Sequence, residues 1–221
     1  MIFDILYALG LWFLAFILTV SSVNAVVAIS RRFREQKVLS GVAMQAGFVM
    51  YSLLVARFLA GGIEVIGKAS FPPMKLLEAL AVSSVFVLAL YGVSQKMLRE
   101  EKYEPPFAPR NILELAALAF IAGPLGEEIL FRGLLEGYML TRNVDARVAV
   151  ALPAVLFSLI HWIPFKDAPS KHRALILFFA LVLSVVAGYY KAVTSSITVA
   201  VVVHAMFNTP QIDYVLKRRA S

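Results

Sequence analysis

Seven apolar runs, each near the ~20 residues that a helix needs to cross a bilayer, leave this chain little choice of fold. They lie roughly at residues 3–29, 38–60, 76–97, 111–140, 144–163, 174–190 and 195–215. Hydrophobic residues make up 60% of the 221, where soluble domains run nearer ~45–50%. The pattern predicts an all-α, polytopic integral membrane bundle of about seven helices, or eight if one run is broken. The first run lacks a basic n-region and a small-x-small cleavage site, so it reads as a retained helix rather than a leader.

Three regions follow. Residues 1–110 hold three N-terminal membrane helices and a linker. Residues 111–215 hold a C-terminal quartet, and residues 216–221 form a basic tail. The linker is marked by Glu104-Pro105-Pro106 and Ala108-Pro109. Run four is long enough to be broken, and Gly123-Pro124 is the natural place. Pro72-Pro73 with Lys75 reads as punctuation in the second loop or as the end of a short interfacial helix.

The net charge of +7 sits in short loops, where it encodes orientation rather than affinity for nucleic acid. Loops one, three and five and the tail carry fourteen Lys and Arg, against five on the opposite side (Lys68, Lys75, Arg142, Arg147 and Lys191). That bias predicts a multi-pass protein with the N-terminus outside and the C-terminus cytoplasmic. The tail, Lys217-Arg218-Arg219, is suited to anionic lipid. With no cysteine, the chain has no disulfide, thiolate metal site or thiol nucleophile.

Against this background the stretch from Gly123 to Gly133 stands out. It sets Glu127, Glu128 and Arg132 in the middle of an apolar run, and intramembrane charge is costly enough to mark a functional site. Two of the three histidines, His161 and His204, also lie in apolar runs, and the third, His172, is read as a loop residue. Glu128 and Arg132 are four apart and can pair on one helix face. Glu127 is rotated by about 100° and stays free. His204 and Asn208 share the four-residue spacing, and so do Phe157 and His161.

Each residue has a plainer reading. The acidic pair could be a polar clasp between helices, His161 an interfacial residue beside Trp162, and His204 with Asn208 interhelical glue. All three together make a weaker account than one shared site. Elsewhere, Asn111 and Glu114 read as helix caps, and Glu136 and Asp213 as solvated residues near helix ends. Arg57 reads as a snorkelling residue or a partner for Glu64.

A carboxylate and an imidazole can take a proton from water that attacks an acyl carbon. His and Asn donors can hold the oxyanion that forms. Two His and a carboxylate also suit zinc, through Glu127, His161 and His204, but no His-Glu-x-x-His run is present.

Glu127-Glu128-x-x-x-Arg132, Phe157-x-x-x-His161 and His204-x-x-x-Asn208 resemble the three motifs of the CAAX-protease and bacteriocin-processing (CPBP, or Abi) family of intramembrane endopeptidases. The stretch from Gly188-Tyr189-Tyr190 to Ser196-Ile197, leading into His204, resembles that family's last motif. The resemblance covers about residues 110–209, in the family's order and on separate helices. By likeness to its type II CAAX prenyl proteases, it implies that Glu127 and His161 activate water. It also implies that His204 and Asn208 form an oxyanion hole, supported structurally by Glu128 and Arg132. It implies no metal or other cofactor. The implied substrate is a peptide or protein held at the membrane, prenylated in the CAAX enzymes. Those enzymes typically have eight helices, against the seven counted here.

Two other classes compete. A scaffold or bacteriocin-immunity protein on the same fold would not need every motif residue, and all are present. A transporter would spread its polar residues along a path and carry an inverted repeat, and neither is visible.

Overall fold

The computed structural model describes residues 1–98, 103 and 109–220, with the side chains of all of these except residues 214 and 217–220. The molecule is helical throughout, with no strand among the described residues. Helices α1 (Ile2–Ile29), α2 (Lys37–Leu59) and α3 (Pro73–Met97) form the N-terminal trio. Helix α4 follows over residues 112–141, then α5 (Ala146–Ile160), α6 (Ser170–Thr194), α7 (Ile197–Phe207) and α8 (Pro210–Ala220). Helices α1, α2, α3 and α6 are each long and apolar enough to cross a membrane. The bundle is an integral, multi-pass membrane protein.

The outer helices bury only a stripe. On α1 the buried residues are Ala8, Leu11, Trp12, Ala15, Thr19 and Val23, spaced by one helical turn. Their neighbours point outward as apolar side chains, as lipid contact requires. Burial from water does not drive helices together in lipid, so close packing and polar contacts must.

Helix α4 is the centre of the bundle, and α1, α2, α5, α6 and α7 all pack on it. Asn111 starts it by accepting from the amides of Leu113 and Glu114, both at 3.0 Å, while Glu114 accepts from the Arg110 amide at 2.8 Å. From Ile129 to Glu136 every residue is buried. Gly133 and Gly137, one turn apart, form a notch for the short 3₁₀ turn Ile63–Ile66. A Cβ on Gly137 would lie 3.0 Å from the Val65 carbonyl carbon, with backbone on both sides of the contact. Gly137→Ala is therefore expected to cost about 1–3 kcal/mol by overpacking, read as a lower unfolding midpoint in detergent.

Several expectations need correction. Helix α4 does not break at Gly123-Pro124, because Gly123 stays helical (φ −57°, ψ −59°). Residues Ala116–Ala122 and Ile129–Glu136 are wound as π-helix instead. The wider winding lets the Gly123 amide bond to Leu118 O, five residues back, so that the proline follows a residue that is still helical. The seventh run is not one spanning helix. α7 has 11 residues, about 16 Å at 1.5 Å per residue, and α8 starts afresh at Pro210. The motif-bearing end of the chain is thus a half-length helix and a second helix.

Pro72-Pro73 begins α3, with Pro73 in the first turn, rather than ending an interfacial helix. His172 lies in the first turn of α6 rather than in a loop. Arg57 is exposed and makes no ion pair with Glu64 among the described residues. Glu104-Pro105-Pro106 and Ala108 lie outside the described residues.

The second loop is tied to the turn between α6 and α7. Lys68 N donates to Ser195 O at 2.8 Å and Ile197 N donates to Lys68 O at 3.1 Å. Ser195 sits in the left-handed region (φ 54°) and ends α6. Ser196 then opens α7, its hydroxyl donating to Ser70 O at 2.5 Å.

Candidate active site

The middle of α4 places the acidic pair in two different environments. Glu128 is fully buried, with Oε2 3.1 Å from Arg132 Nε. The two atoms are close enough for an ion pair, though not aligned as a hydrogen bond. Arg132 donates through Nη2 to Ser184 Oγ of α6 at 2.5 Å. Its guanidinium carbon lies 4.7 Å from the centre of the Phe157 ring. Glu128 is thus held on every side.

Glu127 is not, and its side chain keeps 21% exposure. Its Oε1 accepts from Gln45 Nε2 of α2 at 2.9 Å. Its Oε2 faces His204 Nε2 at 3.8 Å, too far for a hydrogen bond and near enough for one water to touch both.

His204, on α7, joins the two carboxylates. Its Nδ1 lies 2.7 Å from Glu128 Oε1. An ionised carboxylate can only accept, so Nδ1 carries the proton and the ring is fixed in orientation. Nε2 is left to face Glu127.

His161 caps the C-terminal end of α5. Its Nδ1 sits 2.7 Å from Phe157 O, four residues back. A carbonyl oxygen accepts only, so the neutral ring keeps its lone pair on Nε2, the form a general base requires. No hydrogen bond joins His161 to Glu127 among the described residues. The link between the two histidines is the Phe157 ring, 4.6 Å from His161 and 5.8 Å from His204, edge-on to the latter. Phe131 packs edge-on against the same ring at 5.1 Å. Phe157 is therefore the apolar wall of the site, which its helical spacing with His161 had suggested.

Asn208, the C-cap of α7, turns elsewhere. Its Nδ2 donates to Ala119 O of α4 at 2.7 Å, and its Oδ1 accepts from Gln211 Nε2 at 3.2 Å. The Ala119 carbonyl is available because of the winding below it. The Gly123 amide is spent on Leu118 O, and Pro124 has no amide hydrogen. Asn208 keeps a second N–H on the same nitrogen.

Two residues depart from their sequence reading. Glu136, expected to be solvated, is 0% exposed, and neither of its oxygens has a hydrogen-bond partner among the described residues. It follows Glu128 and Arg132 at four-residue steps along α4. The charges acting on it are the cations Arg132 and Lys191, with Glu128 opposing. Lys191, on α6, is buried too. The catalytic-looking end of α4 thus continues into a closed line of alternating charge. Asp213 is half-buried and accepts from Tyr91 OH at 2.6 Å.

Gln45 was not singled out from sequence. Nothing local marks one glutamine in an apolar run 82 residues before its partner. The only hint was a polar residue in the middle of a membrane segment.

No three His, Asp or Glu side chains converge as a metal-binding set among the described residues. His204 spends Nδ1 on Glu128, which leaves His204 Nε2 and Glu127 as a pair, where a catalytic zinc uses three protein ligands.

Residues 109–210 match the sequence model of the family described as Rce1-like, type II CAAX prenyl endopeptidase. The match covers α4 to α7 and includes Glu127, Glu128, Arg132, His161, His204 and Asn208, but not Gln45. No curated protein and no solved structure matches the chain. Over these residues, just under half of its length, the chain is similar to the Rce1-like family of CAAX-type membrane proteases.

Proposed function

We propose that this protein is an intramembrane endopeptidase that cleaves a membrane-held, CAAX-like substrate with water activated by Glu127. One observation carries the reading. Of the adjacent carboxylates Glu127 and Glu128, Glu128 is fully buried, whereas Glu127 is partly exposed and turns an oxygen without a hydrogen bond to an imidazole at 3.8 Å.

In the proposed reaction a water between Glu127 and the histidines loses its proton to Glu127 as its oxygen bonds to the scissile carbonyl carbon. His161 accepts a hydrogen bond from the same water through its Nε2 lone pair and orients it, and Glu127 then gives the proton it took to the leaving amine as the C–N bond breaks. His204, carrying a proton on both nitrogens, would donate Nε2–H to the oxyanion, with Glu128 supporting the imidazolium. The second N–H of Asn208 would complete the hole. Glu128 and Arg132 act as structure. No metal is needed for any of these steps.

The proposed topology puts the N-terminus outside and the C-terminus in the cytoplasm, as the loop charges imply. That sets His161, at the start of the basic fifth loop, near the cytoplasmic face. Peptide substrate and lipid are then the partners, and prenylation of the substrate is part of the proposal.

The test is hydrolysis of an internally quenched, S-farnesylated CAAX peptide by the full chain in proteoliposomes. Glu127→Ala and His161→Ala should each lose activity. Full activity in either would overturn the mechanism.

A further inference from the structure

We infer that Gln45 is a positioning residue for catalysis, supplied by the N-terminal trio from outside the segment that matches the protease family. The inference rests on the reading of Glu127 as the base and extends the site to a helix to which neither sequence motif nor family match assigned a role.

The geometry is built for this contact. Gln45 Nε2 donates to Glu127 Oε1 at 2.9 Å. That bond fixes one carboxylate oxygen and leaves the other, Oε2, turned to His204. The amide can face only this way, because a carboxylate cannot donate to the Gln45 oxygen. Gln45 Oε1 is itself buried without a partner among the described residues. A buried, unpaired acceptor carries a stability cost, and the structure tolerates it to keep Nε2 on Glu127.

The approach of the two helices is equally specific. Gly126, next to Glu127, faces Gln45, and a Cβ there would lie 2.7 Å from Gln45 O and 2.9 Å from its Cα. One turn earlier on α2, Gly41 opens against Leu118 of α4, where a Cβ would lie 3.0 Å from Cδ2. These two glycines let α2 come close enough for a side chain as short as glutamine to reach the base. Without that hold, Glu127 would be free to rotate about its side-chain torsions, and the water between Oε2 and the imidazole would lose its fixed geometry. Catalysis is sensitive to displacements of this size.

The test uses the full chain in proteoliposomes, with unfolding midpoints and turnover of the S-farnesylated quenched peptide as readouts. Gln45→Met keeps length and volume but removes the donor. It is expected to lower kcat by about 10–100-fold, the scale of a lost supporting contact, with KM within about twofold and a small shift in midpoint. Gln45→Glu turns the donor into an acceptor against a carboxylate and should lose more. The exchanged pair, Gln45→Glu with Glu127→Gln, should recover the midpoint lost by Gln45→Glu, yet stay as inactive as Glu127→Gln alone.

A packing role predicts that Met equals Gln in kcat, and that result would overturn the inference while leaving Glu127 intact as the base. Activity that survives Glu127→Gln would instead overturn the reading on which it rests. Should the wild type not cleave this peptide, the midpoints decide. Recovery in the exchanged pair supports the contact, and additive losses reject it.

Discussion

Arg132→Met is expected to be the most destabilising single substitution in the chain, by about 3–5 kcal/mol. The guanidinium is fully buried and stands between Glu128 and Glu136, which are both 0% exposed. Removing it deletes the ion pair at 3.1 Å, the hydrogen bond to Ser184 and the contact with the Phe157 ring. Two carboxylates then remain in the core of a membrane bundle without the guanidinium between them, and Lys191 acts on Glu136. At about 2–4 °C per kcal/mol for a chain of this size, the unfolding midpoint should drop by about 6–20 °C. A second change, Glu128→Leu, should return part of that loss, because an apolar pair can replace a buried ion pair at little cost. It should not return activity, since His204 would lose the carboxylate that orients it.

Glu127→Gln is expected to do the opposite, sparing the fold and removing the chemistry. The substitution keeps shape and volume, and the residue is partly exposed rather than sealed. An amide cannot take a proton from water, and loss of a general base costs about 10²–10⁴-fold in rate. The unfolding midpoint should stay close to that of the wild type, which would separate a chemical role from a structural one. Glu128→Gln should behave differently, with a clear loss of stability, because Glu128 is tied to both Arg132 and His204. The contrast between adjacent carboxylates is the signature of the arrangement.

Much of this was legible in the sequence, and the failures have physical causes. The apolar runs gave the bundle, because the length of a membrane helix follows from bilayer thickness. The four-residue spacings placed Glu128 on Arg132 and Phe157 beside His161, because helical pitch is local. The unbroken α4 was not legible. Whether Gly123-Pro124 breaks a helix or is absorbed by π-winding depends on what packs around it, and here Asn208 takes the carbonyl that proline leaves free. The end of α7 was marked by Asn208-Thr209-Pro210, where proline favours a new helix start, and the long apolar run masked it. Glu136 looked solvated by its place near the end of a run, but its burial is decided by Lys191 and Gly188 on α6, half a domain away. The contact between Gln45 and Glu127 depends wholly on how α2 crosses α4.

The most direct measurement is a comparison of C-termini in the membrane proteome of cells carrying either the wild type or Glu127→Gln at equal abundance. It requires no prior choice of substrate. A set of new C-termini on membrane-associated proteins, present with the wild type and absent with Glu127→Gln, is the predicted result. Identical C-termini in the two membranes, or cleavage that persists in the variant, would contradict Glu127 as the base of an intramembrane peptidase.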